Sequence, residues 1–215
     1  MACNKLRTQE IEGSFSGVPK VLTDIDIETF RERLCDVAEQ MFAAHGPDGV
    51  TMRQLAAELG VSSMTPYRYF KDKDAILAAV RRRAFTRFAE AMEEGWDEEV
   101  RSGGGHTGRP YLDFALSNPS AYRMMFDTYQ PTFHEYPDLL AAMERARTTM
   151  ASGWRRLAEG GKFNGDPALT GHLHWSAMHG AVMLELAGLL RPPLDARALV
   201  APTIEALAKH LGIKR

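Results

Sequence analysis

Three groups of side chains carry types and spacings that could do chemistry. The first lies between residues 51 and 73, where Thr51, Arg53, Ser63, Met64, Thr65, Tyr67, Arg68, Tyr69 and Lys73 interleave hydroxyl, aromatic, apolar and cationic groups. A guanidinium can bond the O6 and N7 edge of guanine, a methyl-bearing side chain can touch the thymine methyl, and hydroxyls, phenols and ammonium groups can hold phosphate oxygens. The mixture suits a nucleic-acid contact surface. The second group, His172, His174 and His179, invites a metal reading. Positions 172 and 174 diverge by about 200° around a helix, and 172 lies roughly 10 Å of rise from 179, so the three cannot chelate one ion. No metal and no cofactor is expected. The third group, Cys3 and Cys35, is too small for a disulfide framework and lacks metal-ligand spacing. No Ser/His/Asp, Cys/His, paired-carboxylate or phosphate-loop arrangement is visible, which argues against an enzyme.

The elements that position these groups read as helices. From Glu28 to His45 the apolar positions Phe30, Leu34, Val37, Ala38, Met41 and Phe42 recur at spacings of three and four, and Gly46-Pro47 ends the pattern. Thr51 with Gln54 three residues on is a capping-box signature for a helix of about two turns with Leu55, Ala56 and Leu59 inside. Gly60 can turn left-handed at its end. Ser62 or Ser63 then caps a second short helix, with Pro66 near its start, and Asp72 caps a longer one from Lys73 through Phe85 and Phe88 towards Met92. The acidic run 93–99 leads into the Gly-rich break 102–108. Further helices are expected at about 110–117, 119–128, 137–159, 166–190 and 195–211, with Pro119, Pro137 and Pro167 in first turns. Pro202 requires the last helix to kink or to begin late. No segment alternates with period two, so the fold is all-α.

Composition narrows the setting. The 215 residues are 45% apolar and 25% charged, an ordinary globular balance, and no apolar run approaches the ~20 residues of a membrane span. A soluble, cytoplasmic protein is expected, with residues 1–24 as a flexible leader. The net charge of −2 shows no global basic excess, so nucleic-acid binding would be local. Residues 51–73 carry Arg53, Arg68, Lys71 and Lys73 against Glu58 and Asp72.

The stretches Phe42-Ala-Ala-His-Gly46, Val50 to Ser62 and Tyr67-Arg-Tyr-Phe-Lys-Asp-Lys73 closely resemble the N-terminal helix-turn-helix domain of TetR-type (tetracycline-repressor-like) transcriptional regulators, over about residues 28–80. The resemblance implies a three-helix DNA-binding domain at 25–90, including a linking helix, and a helical effector-binding and dimerisation domain at 91–215. By the family pattern, Arg53 reaches a base edge, Ser63, Met64 and Thr65 face bases with Arg68 on the same face, and Tyr67, Tyr69 and Lys73 clamp phosphates. Thr51 caps its helix and can bond a phosphate. The acidic balance of residues 1–28 departs from the family's basic arm, leaving Arg31 and Arg33 as possible backbone contacts. Arg81-Arg82-Arg83 reads as a solvated helix face.

Asn118 to Phe126 and Trp175-Ser-Ala-Met-His-Gly180 resemble a C-terminal domain class of this family marked by its Trp, His and Gly. That resemblance implies an apolar cavity lined by Tyr122, Met125, Phe126, Tyr129, Trp154, Trp175, His179 and Met183, to be weighed against plain core. Tyr129, Gln130, Phe133 and His134 could form part of a lid. Ala177, Ala181, Leu184 and Gly188, with Val200, Ile204, Leu207 and Leu211 from the last helix, are expected to face a second subunit in a four-helix interface. The leading expectation is a ligand-responsive transcriptional repressor, a homodimer that leaves palindromic double-stranded operator DNA when a small hydrophobic effector binds. The alternatives are a regulator of the same fold controlled by a protein partner, and, remotely, a helical enzyme.

Overall fold

The computed structural model describes residues 23–101, 108–127, 133–161 and 163–210. The leader to residue 22, Tyr129 and Leu211 lie outside them. Eight α-helices and no strand occur among the described residues: α1 (Asp24–His45), α2 (Met52–Glu58), α3 (Lys73–Arg101), α4 (Arg109–Ser117), α5 (Pro119–Phe126), α6 (Pro137–Glu159), α7 (Pro167–Leu186) and α8 (Ala196–His210). The ends follow local chemistry. Helix α1 starts one turn before the first apolar repeat because Thr23 and Asp26 form a capping box, and Thr51 with Gln54 does the same for α2. Asp72 caps α3 through the Ala75 amide, and Asp166 caps α7 through those of Ala168 and Leu169. Helix α8 runs through Pro202, and the Thr203 hydroxyl donates to the Leu199 carbonyl.

Two expectations about helix extent fail for identifiable reasons. The acidic run 93–99 belongs to α3, which reaches Arg101. Its apolar stripe continues past Met92 to buried Trp96, while Glu93 pairs with Arg145 and Asp97 with Arg156 on α6. The second short helix of the head does not form as an α-helix. Pro66 has no N–H, and its ring would crowd the Ser62 carbonyl. The chain instead makes three-residue bonds, Thr65 N–H to Ser62 and Arg68 N–H to Thr65, closing one 3₁₀ turn at Pro66–Arg68.

Helix α3 is shared by two cores. In the head, Leu34, Ala38, Phe42, Val50 and Leu55 pack on Ile76, Leu77 and Val80 of α3, with Phe70 from the turn. Met124 of α5 also belongs to this cluster, so the body docks directly on the head. Below it, Phe85, Phe88, Met92 and Trp96 of α3 meet α4, α5, α6, α7 and α8. Phe88 stands edge-on to both Tyr111 and Phe114, with centroids 5.5 and 5.3 Å away. Burial of each such side chain contributes about 1.5–3 kcal/mol.

The run Arg81-Arg82-Arg83 is not a solvated face. Arg81 is buried and donates to the carbonyl of Asp127, at the end of α5. Arg83 pairs with Glu32 and Asp36 of α1. One step along, Arg87 holds both carboxylate oxygens of Glu39 at 2.9 Å. Only Arg82 of the three is half-exposed with no partner among the described residues. Phe88→Ala should lower the unfolding free energy by about 3–5 kcal/mol, read from urea denaturation, because it empties a fully enclosed site between two rings.

Candidate functional site

The surface that could meet a ligand at the head is built by two backbone devices. Gly60, at φ 67°, turns the chain after α2, and the Ser62–Arg68 turn then projects outward while Pro66 and Phe70 anchor it beneath. Thr51, Arg53, Ser63, Met64, Tyr67 and Arg68 are all exposed along this edge, and Thr65 is half-buried. Met64 and Tyr67 keep 66% and 48% of their surface, which is unusual for apolar side chains with a core nearby. Neither Arg53 nor Arg68 has an ion-pair partner among the described residues. Two cations, a phenol, hydroxyls and a thioether are therefore presented on one exposed edge, a composition fitted to DNA grooves and phosphates.

The remaining predicted contacts are engaged internally. Tyr69 stacks on Phe30 with centroids 4.3 Å apart, and its carbonyl accepts from Arg31 at 2.8 Å. The Arg31 guanidinium also lies over the Phe70 ring. The Lys73 ammonium donates to the Pro47 carbonyl at 2.6 Å, tying the start of α3 to the α1–α2 loop. Arg33 is exposed.

In the body, the predicted effector residues surround a chain of hydrogen bonds. The Trp175 indole N–H donates to the Tyr111 hydroxyl at 3.1 Å, the two hydroxyls of Tyr111 and Tyr122 are 2.5 Å apart, and Tyr122 lies 2.6 Å from His179 Nδ1. One assignment satisfies every donor. Indole only donates, so Tyr111 accepts from it and donates to Tyr122, which donates to an unprotonated Nδ1. Burial, which pushes His179 below its usual range and both phenols above theirs, favours these neutral forms. Tyr111 was not singled out from the sequence, since a lone Tyr in a helix carries no sign of its partners. Phe126 packs against His179 at 4.5 Å and Met125 is buried beside them. Met183, expected on this face, is exposed instead.

Trp154 lies elsewhere, stacked 4.5 Å from His174. These two and Trp96, Gly108, Met150, Met178 and Ile204 line a void of about 20 Å³, room for one water-sized group. His174 Nδ1 donates to the Thr170 carbonyl, so its buried Nε2 is an acceptor, and it has no partner among the described residues. A second cavity, of about 790 Å³, is an open groove between α1, α3 and the start of α6. None of the predicted effector residues lines it. No group of three or more His, Cys, Asp or Glu among the described residues could hold a metal ion.

The predicted subunit-facing residues divide. Ala181, Val200 and Ile204 are buried in the chain's own core, whereas Leu184 and Gly188 are exposed and Ala177 and Leu207 are half-buried. The exposed apolar stripe of α7 is Leu169, Leu173, Gly180 and Leu184, rotated from the expected one. The reason is α8, which packs on Ala181 and Met178 and thereby claims the small-residue face.

Both His174 and His179 are held neutral by burial, so unfolding releases groups that take up protons more readily. Stability is then full above the unfolded histidine value of about 6.5 and is lost as pH falls below it. The thermal midpoint should drop between pH 7.5 and 5.5, and by less in His174→Asn; an equal drop in both proteins would remove His174 from the account.

The head and body correspond to known sequence families. Residues 34–80 match bacterial regulatory proteins of the tetR family, and residues 106–207 match the tetracyclin repressor-like C-terminal domain. An HTH-type transcriptional regulator of Mycobacterium tuberculosis is 21% identical over 192 residues, covering 75% of this chain and 82% of that protein. The HTH-type transcriptional repressor AcnR of Corynebacterium diphtheriae is 30% identical over 80 residues, 37% of this chain and 42% of its own. Among solved structures, the transcriptional regulator FadR of Bacillus subtilis in complex with stearoyl-CoA superposes with a TM-score of 0.64 at 17% identity, covering 82% of this chain and 96% of that one. With a tetR-type head on a tetracyclin repressor-like body, the chain belongs to the TetR family of DNA-binding transcriptional regulators.

Proposed function

We propose that this protein is a ligand-responsive repressor of the cytoplasm that holds palindromic operator DNA as a homodimer and releases it when a small hydrophobic effector binds. The observation that carries the reading is the continuity of α3. It starts five residues beyond Arg68, on the exposed contact turn, and ends in the body core at Trp96 and beyond. A body rearrangement that tilts α3 therefore moves the contact turn as a unit. An effector that favours the tilted state shifts the population away from the operator-bound one, and DNA opposes effector binding by the same factor.

The DNA contact falls to the exposed set. Arg53 and Arg68 reach base edges, Ser63, Met64 and Thr65 meet bases, and Thr51 and Tyr67 hold phosphates. Tyr69 and Lys73 brace the turn from behind, through Phe30 and Pro47. In the body, Tyr122, Met125, Phe126, Trp175 and His179 form the polar and aromatic lining that couples effector to α3 through Phe88 and Tyr111. The exposed stripe Leu169, Leu173, Gly180 and Leu184 pairs with its copy across a two-fold axis, presenting two contact turns about one DNA turn, roughly 34–36 Å, apart. AcnR, which carries the name of a repressor, supports the negative sign of control. The stearoyl-CoA in the FadR structure supports a hydrophobic effector.

Gel-shift titration with the DNA upstream of its own gene should show salt-sensitive, sequence-specific binding. Arg68→Ala should weaken it by about 5- to 150-fold, the loss of a base-edge contact of about 1–3 kcal/mol. Indifference to both DNA sequence and Arg68 would reject the reading. Leu173→Glu should turn the dimer into a monomer in sedimentation, with the helical circular dichroism unchanged.

A further inference from the structure

The groove of about 790 Å³ lies where the head meets the body, a size within the roughly 300–1,000 Å³ of small-molecule sites. Its floor is one face of α3, formed by Ala75, Ala78, Ala79 and Arg82 at helical spacing. Helix α1 makes one wall, and Glu135 to Leu139, leading into α6, make the other. The Lys71 ammonium bonds Glu135 at 2.7 Å and lies 5.1 Å from the Tyr136 ring, so this ion pair joins the head to the body at the groove.

Its charges sort by pairing. Glu28 faces Arg31, Glu32 faces Arg83 and Glu135 faces Lys71, each within ion-pair distance. Asp24 and Asp138 remain, both exposed and both in the first turn of a helix, whose N-terminal amides favour a carboxylate. The one cation left is Arg82, half-buried on an alanine floor with no partner among the described residues. A guanidinium in that setting is a fork of donors directed at a planar oxyanion.

We propose that this groove is a second ligand site, apart from the aromatic lining of the body, and that it takes an amphiphilic monoanion whose carboxylate bonds Arg82 and whose apolar body covers Ala75, Ala79 and Ile27. The proposal rests on the reading of the chain as an effector-controlled regulator and gives it a second, independent input to the head. An occupant here touches α1, α3 and the start of α6 together. Wedging α1 from α6 strains the Lys71–Glu135 tie and changes the angle of the head on the body, with no rearrangement of the packed body core.

The test uses the full chain with three sub-micellar probes that share one chain length: decanoate, decylammonium and decanol. Calorimetric titration should show decanoate binding at least tenfold tighter than the other two. Arg82→Gln should weaken decanoate at least tenfold and erase the preference, and Ala79→Phe, which fills the floor without touching charge, should abolish binding. Equal affinity for the three probes, tightest binding of the cation, unchanged decanoate binding in both variants, or no binding at all would overturn the proposal. The gel shift of the ligand-free protein judges the regulator reading separately. A wild-type protein that binds DNA and ignores decanoate fails only the groove.

Discussion

Everything in this molecule depends on one helix serving two cores. Ile76, Leu77 and Val80 of α3 complete the head, and Phe85, Phe88, Met92 and Trp96 complete the body. Neither core can repack around α3 without an axial or rotational displacement that the other must accommodate, because close-packed interiors shift between discrete arrangements and do not deform smoothly. The arginines along its length reinforce the coupling. Arg83 and Arg87 bind α3 to α1, and buried Arg81 binds it to the end of α5. These part-buried contacts fix the register of one helix against the next.

The body adds a polar device to this frame. Four side chains from three helices form a directed hydrogen-bond chain from Trp175 to His179, and one arrangement of protons satisfies them all. A buried network that is fully satisfied specifies a single packing, because any slip of α4, α5 or α7 strands a donor in a low-dielectric interior. His174 shows the opposite state on the same helix. Its Nε2 has no partner among the described residues, beside a void of one water's size.

The extent to which the sequence disclosed this structure follows from the range of each interaction. Caps at Thr51 and Asp72 and the left-handed Gly60 act within a few residues, and they appear where spacing places them. The all-helical architecture follows from long apolar periods. The contact turn was misread as a short helix with Pro66 tolerated near its start, and the effect of that ring on the Ser62 carbonyl yields a 3₁₀ turn instead. What stayed hidden depends on partners distant in sequence. Nothing local marks Arg81 as buried, Lys73 as bound to Pro47, or Glu93 and Asp97 as helical residues held by α6. The exposed face of α7 was misjudged for the same reason, since helix periodicity gives the faces and only α8 decides which one is covered.

Gly108 enters the body at φ 71°, and a Cβ there would lie 2.7 Å from Met178 Sδ and 2.9 Å from the Ile204 side chain. Glycine is thus required twice over, by backbone angle and by space. Any side chain at this point would have to displace Met178 or Ile204, so the closeness with which the start of α4 meets α7 and α8 is set by the absence of a single methyl group.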